Sequence, residues 1–269
     1  MLIGTATPNA AGSDYGPADT LYGPLTTRRS YQPAATGMPA SFGACNAAID
    51  YTTTASKTKY VSVWSCKPTI SQMASGALNA AVTAFVNTIP SGHRALLACW
   101  HEGDGKVRQG TFTKAQWQDA QVNFATAVKA AGRADIHPVI ILEAYQPGTG
   151  TDYADMWRAD FDGLVDALLI DGYTDNGSEA VAWEKGRLFA AAKGIPWGIA
   201  EMGCRSTTVD QVWMAKQIRY AMRNAAALAC WFDTTTGGVA ATPGTGAGPV
   251  GVAQCASIIN QVDPATWTL

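Results

Sequence analysis

The chain has 269 residues, 47% of them hydrophobic, enough length and apolar material for one large domain around a continuous core. Its formal charge is −2 and only 15% of residues are charged, so it carries neither the basic footprint of a nucleic-acid binder nor a polybasic segment for an anionic membrane surface. No apolar run approaches the ~20 residues of a membrane helix, and the reading is a soluble protein with no membrane insertion.

Met1-Leu2-Ile3-Gly4 opens directly into a strand and lacks the basic and then apolar pattern of a secretory leader. From there, short apolar runs alternate with amphipathic stretches to the end of the chain, the pattern of repeated βα units on a parallel sheet. The predicted strands run from Leu2 to Thr5, Thr27 to Tyr31, Tyr60 to Trp64, Ala95 to Trp100, Ile136 to Leu142, Ala167 to Ile170, Trp197 to Ala200 and Ala227 to Phe232. Between them the 3.6-residue period places Met73, Ala77, Ala81 and Phe85 on one helix face. It groups Trp117, Ala120, Phe124, Val128 and Ala131 on a second, and Val212, Ala215, Ile218 and Met222 on a third. Gly132 and Gly194 stand where the helices Lys114 to Ala131 and Ser178 to Lys193 should stop. Eight such units in one domain predict a single (β/α)8 barrel over residues 1–269.

Long Gly- and Pro-rich segments follow several strands: Ala6 to Pro24, Gly103 to Thr113, Tyr145 to Thr151 and Thr234 to Gly248. In a barrel these would gather at the rim formed by the strands' C-terminal ends, where barrel enzymes build their sites. The cysteines (Cys45, Cys66, Cys99, Cys204, Cys230, Cys255) show no CxxC spacing. Cys99 and Cys230 read as buried thiols, and Cys45 with Cys66 as a candidate bridge.

Two glutamates stand just past apolar runs, Glu102 in Trp-His-Glu-Gly and Glu201 in Ile-Ala-Glu-Met-Gly. Cleavage of a glycosidic bond needs one carboxyl to protonate the leaving oxygen and a second to attack the anomeric carbon or activate water. Two glutamates on non-adjacent strands of one rim can straddle such a bond. The plainer reading has each glutamate end a strand and pair with Arg108 or Arg205. Glu143 and Asp171, ending the fifth and sixth strands, are each a candidate substrate contact, a support for another site residue or a strand cap, and Asp171-Gly172 resembles a turn-forming pair. His93, His101 and His137 lack metal-ligand spacing, and no phosphate-cradling glycine motif occurs, so no metal and no cofactor is expected.

Taken in order, Val61-Ser62-Val63-Trp64, His101-Glu102, Asp171-Gly172-Tyr173, Glu201-Met202-Gly203 and Trp231-Phe232-Asp233 resemble glycoside hydrolase family 26, a clan A barrel family of β-mannanases and related β-glycanases. The resemblance implies a retaining double displacement with Glu102 as acid/base and Glu201 as nucleophile. It further implies His101 beside the acid/base, Tyr173 supporting the nucleophile, and Trp231 as a sugar platform; Trp64 and Trp100 could extend it, the alternative for aromatic residues near strand ends being the core. The chain departs from the mannanase pattern in two places. Gly103-Asp104-Gly105-Lys106-Val107 replaces the Met-Asn-Gly that follows the acid/base, and Leu97, Ala98 and Cys99 stand where the family carries an arginine.

The expected activity is therefore endo-acting hydrolysis of a polysaccharide, β-mannan or a related or bacterial surface glycan, outside the cell or in its wall. The same residues would serve a transglycosylase. The competing class is a non-catalytic carbohydrate-binding or structural module, such as a component of a phage tail or envelope assembly, built on a hydrolase barrel.

Overall fold

The structure is a computed structural model that describes residues 1–6, 25–32, 37–44, 61–144, 152–173, 183–203 and 211–232. Eight parallel strands close on themselves in sequence order: β1 (Leu2–Ala6), β2 (Thr27–Tyr31), β3 (Val61–Cys66), β4 (Arg94–Cys99), β5 (Ile136–Glu143), β6 (Ala167–Tyr173), β7 (Trp197–Gly203) and β8 (Leu228–Phe232). Leu2 pairs with Leu228 to shut the ring. The chain is a (β/α)8 barrel, as its alternating pattern predicts.

Inside the barrel, Val61, Val63, Leu96, Ala98, Val139, Ile141 and Leu169 fill the lumen. Alternate residues of the same strands face outward, where Ile140, Leu168, Ile170 and Ile199 meet the helices. A parallel strand buried on both faces reads as a continuous apolar run, and this is why most strands were legible in sequence. The observed strands extend two or three residues beyond the predicted ends of β3, β6 and β7, into the polar positions that make the upper rim.

Seven helices are described: α1 (Ile70–Ala74), α2 (Asn79–Asn87), α3 (Gly103–Arg108), α4 (Lys114–Ala130), α5 (Tyr153–Met156), α6 (Glu184–Lys193) and α7 (Gln211–Arg223). Thr113 and Gln116 form a capping box at the start of α4, with Thr113 N donating to Gln116 Oε1 (2.9 Å) and Gln116 N to Thr113 Oγ1 (3.1 Å). The α4 face of Trp117, Ala120, Phe124 and Val128 is buried as expected.

The face built on Met73, Ala77, Ala81 and Phe85 is corrected. Gly76 takes φ +77°, which ends α1 and starts a new helix with a different phase, so Ala77 and Ala81 are exposed while Val82, Phe85 and Val86 are buried. The expected irregular segment Gly103 to Thr113 also changes, since its first half is α3. Cys66, Cys99 and Cys230 are free buried thiols, so the Cys45 to Cys66 pairing is not formed. Tyr60, Cys45, Ser178 to Ala182, Arg205, Asp233 and the segments 7–24, 145–151 and 234–248 lie outside the described residues. Among the described residues no helix is long and apolar enough to cross a membrane.

Candidate active site

The rim at the ends of β4, β6 and β7 brings three acids together. Glu102, Asp171 and Glu201 each place a carboxylate oxygen within 4.8 Å of the others. They arrive there by different routes.

Glu102 stands one turn past β4, in a segment pinned at nearly every polar group. Gln121 Nε2, buried on α4, donates to Cys99 O (2.6 Å), Trp100 N donates to Cys66 O (2.8 Å), and Glu102 N donates to Ile141 O (3.0 Å). The Trp100 indole N–H donates to Pro68 O (2.7 Å), and the Trp117 indole N–H reaches Trp100 O (3.4 Å). These bonds hold Trp100 at φ +48° and Glu102 at φ +54°. Left-handed backbone at a tryptophan and a glutamate costs on the order of 1–3 kcal/mol each and persists where surroundings over-determine it, as at functional sites. Gly103 completes the turn, because a Cβ there would lie 1.8 Å from the Trp117 indole nitrogen.

Glu201 reaches the lumen through an irregularity in β7. Ile170 pairs with Ile199, but Asp171 pairs with Glu201, so Ala200 is an extra residue opposite one step of β6. With Ala200 already facing inward, strict alternation would turn Glu201 out toward the helices. The bulge instead aims it inward beside Asp171, a common use of such bulges next to active sites.

Phenols fix the Glu201 carboxylate on both oxygens. Tyr31 O–H donates to Oε1, and Tyr173 O–H donates to Oε2 (2.6 Å). Arg29 Nη2 lies 3.8 Å from Oε1. Burial, then the Glu201 charge, pushes both tyrosines above their ordinary range, so they stay protonated donors. Arg29 is fully buried, its guanidinium 4.4 Å from the centre of the Tyr31 ring, and its Nη1 donates to Ser65 Oγ (2.8 Å). The same Ser65 hydroxyl is hydrogen-bonded to His101 Nδ1 (2.8 Å) and so ties the imidazole to Arg29. Burial, then Arg29, Lys67 and Lys106, drives His101 well below its ordinary range, so the ring is neutral.

The other two acids are pushed upward. Burial and then Glu201 raise Glu102 to about 7, with Lys67 opposing. Asp171 is buried and raised well above the usual carboxylate range, first by burial and then by Glu201. Neither Asp171 oxygen has a hydrogen-bond partner among the described residues. Asp171 is therefore part of the acid cluster and not merely a turn former. These three acids are the group among the described residues that can hold a cation, although Arg29 already places positive charge beside them.

Of the residues singled out in the sequence, Glu102, Glu201, His101 and Tyr173 converge here. Arg108, the predicted partner of Glu102, instead bridges Asp104 (3.2 Å) and Glu143. Glu143 is thus an ion-paired rim residue, packed over Gly105, where a Cβ would lie 2.3 Å from its Oε1. Trp100 is half-buried at the rim and sits edge-on to Phe112, ring centres 5.2 Å apart. Trp64 and Trp231 are elsewhere. Trp64 is 1% exposed and stacks on Phe85 of α2 at 4.8 Å. Trp231 is 1% exposed, in the layer between barrel and helices with Ile3 and Ala229. Both lie on outward-facing positions of their strands. Sequence reasoning missed Arg29 and Tyr31, although the strand containing them was identified. Their inward register, shared with Val61, Val63 and Ser65 of β3, is the signal that could have found them.

No protein-family profile matches the chain, and no curated protein matches it by sequence. Solved structures do. A family 26 β-mannanase from Bacteroides ovatus superposes with a TM-score of 0.62 at 10% identity, covering 98% of this chain and 89% of that one. The YdhT protein of Bacillus subtilis gives 0.59 at 12% identity, covering 87% and 80%. The Cel5A protein of Thermotoga maritima, solved with cellobiose, gives 0.62 at 10% identity, covering 95% and 96%. At such identities the likeness is one of fold.

Proposed function

We propose that the chain is a retaining glycoside hydrolase that cuts within a polysaccharide, with Glu102 as acid/base and Glu201 as nucleophile. The observation that carries this reading is that one carboxylate oxygen of Glu102 lies within 4.8 Å of one of Glu201. Retaining enzymes hold their carboxyls ~5–5.5 Å apart, whereas inverting ones leave ~6.5–9.5 Å for a water. The environments of the two acids support separate roles. Glu102, at about 7, keeps a proton to give near neutrality, the tuning a general acid needs. Glu201 is held in one orientation by two phenolic donors, as a nucleophile aimed at an anomeric carbon requires.

In the first half-reaction Glu201 attacks the anomeric carbon while Glu102 passes its proton to the departing glycosidic oxygen. In the second, the now ionised Glu102 takes a proton from water, which attacks the same carbon and frees Glu201. Neutral His101, next to Glu102 in the chain, would contact the sugar, and buried Arg29, 3.8 Å from Glu201, would steady the charge at the cleavage point. The solved barrels similar to this one include β-mannanases and a protein solved with cellobiose, so β-linked mannan and glucan are the first glycans to offer.

The test is reducing-end release from a panel of mannans, glucans, galactans, arabinans and bacterial surface glycans by the wild-type chain and by Glu201→Ala. Chain-shortening by the wild type, its loss in the variant, and its partial return with azide as a stand-in nucleophile are expected. Undiminished release by Glu201→Ala would remove the nucleophile assignment. Binding of a glycan by the wild type with no cleavage would replace the hydrolase reading by that of a carbohydrate-binding module.

A further inference from the structure

The cations around the site divide into two kinds. Arg29 is engaged with Ser65 and Glu201, and Arg108 with Asp104 and Glu143. Lys67 and Lys106 are not committed in this way. Neither forms an ion pair among the described residues, and Lys106 donates only to the neutral Gln109 side chain, at 2.9 Å. Lys67 follows β3 directly, and its Nζ lies 6.0 Å from the centre of the Trp100 ring. Lys106 is on α3, one turn after Glu102. We propose that these two lysines form a subsite for an anionic group on the substrate, so that the glycan taken by this site is an acidic one; this rests on the glycoside-hydrolase reading above.

Three observations favour the assignment. Withdrawing a lysine from water without a counter-ion is costly, and Lys67 is partly buried at the rim. The cost shows in its proton affinity, which burial lowers, Glu102 and Glu201 restore in part, and Lys106 and Arg29 lower further. Both lysines also leave adjacent strand ends, Lys67 directly after β3 and Lys106 on the helix that follows β4, where Cys66 pairs with Cys99. Glu102 is a poor permanent counter-ion for them, because an acid held at about 7 is largely protonated when it is ready to act. A neutral glycan would bring only hydroxyls and leave both ammonium groups without a counter-charge. A carboxylate or a phosphate or sulfate ester would give each a charge-assisted partner. Trp100, half-buried with Lys67 over its ring, sits beside the same position.

The source of the anion, a uronic acid or an esterified neutral sugar, is separable by experiment. Calorimetric titration of the full chain carrying Glu201→Gln compares β-1,4-mannohexaose with the β-1,4-mannuronate hexamer and with mannohexaose bearing 6-phosphates, and repeats the series with gluco-configured oligomers. At least one anionic oligomer should bind roughly tenfold more tightly than its neutral counterpart at low salt, and the advantage should shrink as ionic strength rises. Lys67→Met with Lys106→Met should erase that preference and leave neutral binding in place, while Lys67→Arg should keep it. A stronger response to phosphate than to carboxylate would make the substrate a phosphorylated glycan. Equal or weaker binding of every anionic oligomer, or a preference that survives the double Met variant, overturns the proposal. Preference for anionic oligomers that the wild type never cleaves would sink the hydrolase reading alone, and cleavage of neutral oligomers with no preference would sink only this one.

Discussion

Each functional side chain at the rim depends on a neighbour that fixes its state. Tyr173 and Tyr31 act through Glu201, so Tyr173→Phe and Tyr31→Phe should each lower kcat by ~10–100-fold, the loss of one hydrogen bond to a charged group, with little change in thermal midpoint. Steady-state kinetics beside a melting curve checks this, and an unchanged kcat would detach the phenols from the chemistry. Glu102, raised to about 7, should set the alkaline limb of kcat/KM. A donor must be protonated, so activity should fall as pH rises through about 7.

The same shift has a stability consequence of opposite sign to that of an ion-paired carboxylate. The folded state holds the proton more tightly than the unfolded one. Glu102 therefore costs nothing below its unfolded value of 4.5 and destabilises progressively as pH rises toward about 7. Glu102→Gln removes that burden. It should melt with the wild type at pH 4 and above it at pH 8, by on the order of 2 kcal/mol, or roughly 4–8 °C for a domain of this size. Equal midpoints at both pH values would show that Glu102 is not buried against its charge.

At the scale of elements, two departures from regularity make the site. The β7 bulge at Ala200 turns Glu201 inward, and the left-handed backbone at Trp100 and Glu102 lifts the other acid over the rim. Gly103→Ala puts a Cβ against Trp117 and must move either the indole or the Glu102 turn. The expected cost is about 1–3 kcal/mol, with a larger loss of activity than of stability, measurable by pairing kcat/KM with the unfolding free energy.

These departures also mark where the sequence stopped being readable. Apolar runs such as Val139 to Leu142 declare a buried strand whatever their register, so the barrel was legible almost from end to end. A bulge leaves no mark in composition, and neither does the choice of which alternate residue faces the lumen. Trp64 and Trp231, candidates for a sugar platform, are core residues on outward-facing positions for that reason, and the Met73 to Phe85 stripe failed because Gly76 resets the helix phase. Glu102 and Glu201 were legible because acids immediately beyond apolar runs have few structural reasons to be there. Asp171, followed by a glycine, looked like turn chemistry and proved to be a buried member of the acid cluster.

Over the whole molecule, the barrel separates stability from chemistry. The layer between strands and helices is built on large buried aromatics, including Trp64, Trp117, Trp183 and Trp231, and among the described residues the acid cluster of Glu102, Asp171 and Glu201 lies at the upper rim. Trp231→Ala should cost ~3–5 kcal/mol, whereas Trp231→Phe should retain the wild-type KM for any glycan the protein cuts. A large rise in KM for the Phe variant at unchanged stability would return Trp231 to the sugar site.

The central claim, that two glutamates on one rim cleave a glycosidic bond through a covalent intermediate, is tested most directly by proton NMR of the first product released from a cleaved β-glycan, recorded before mutarotation and compared with Glu201→Gln. The account predicts that the β-anomer appears first with the wild type and that the variant is slower by more than a thousandfold. First appearance of the α-anomer, or comparable rates for the two proteins, would contradict it.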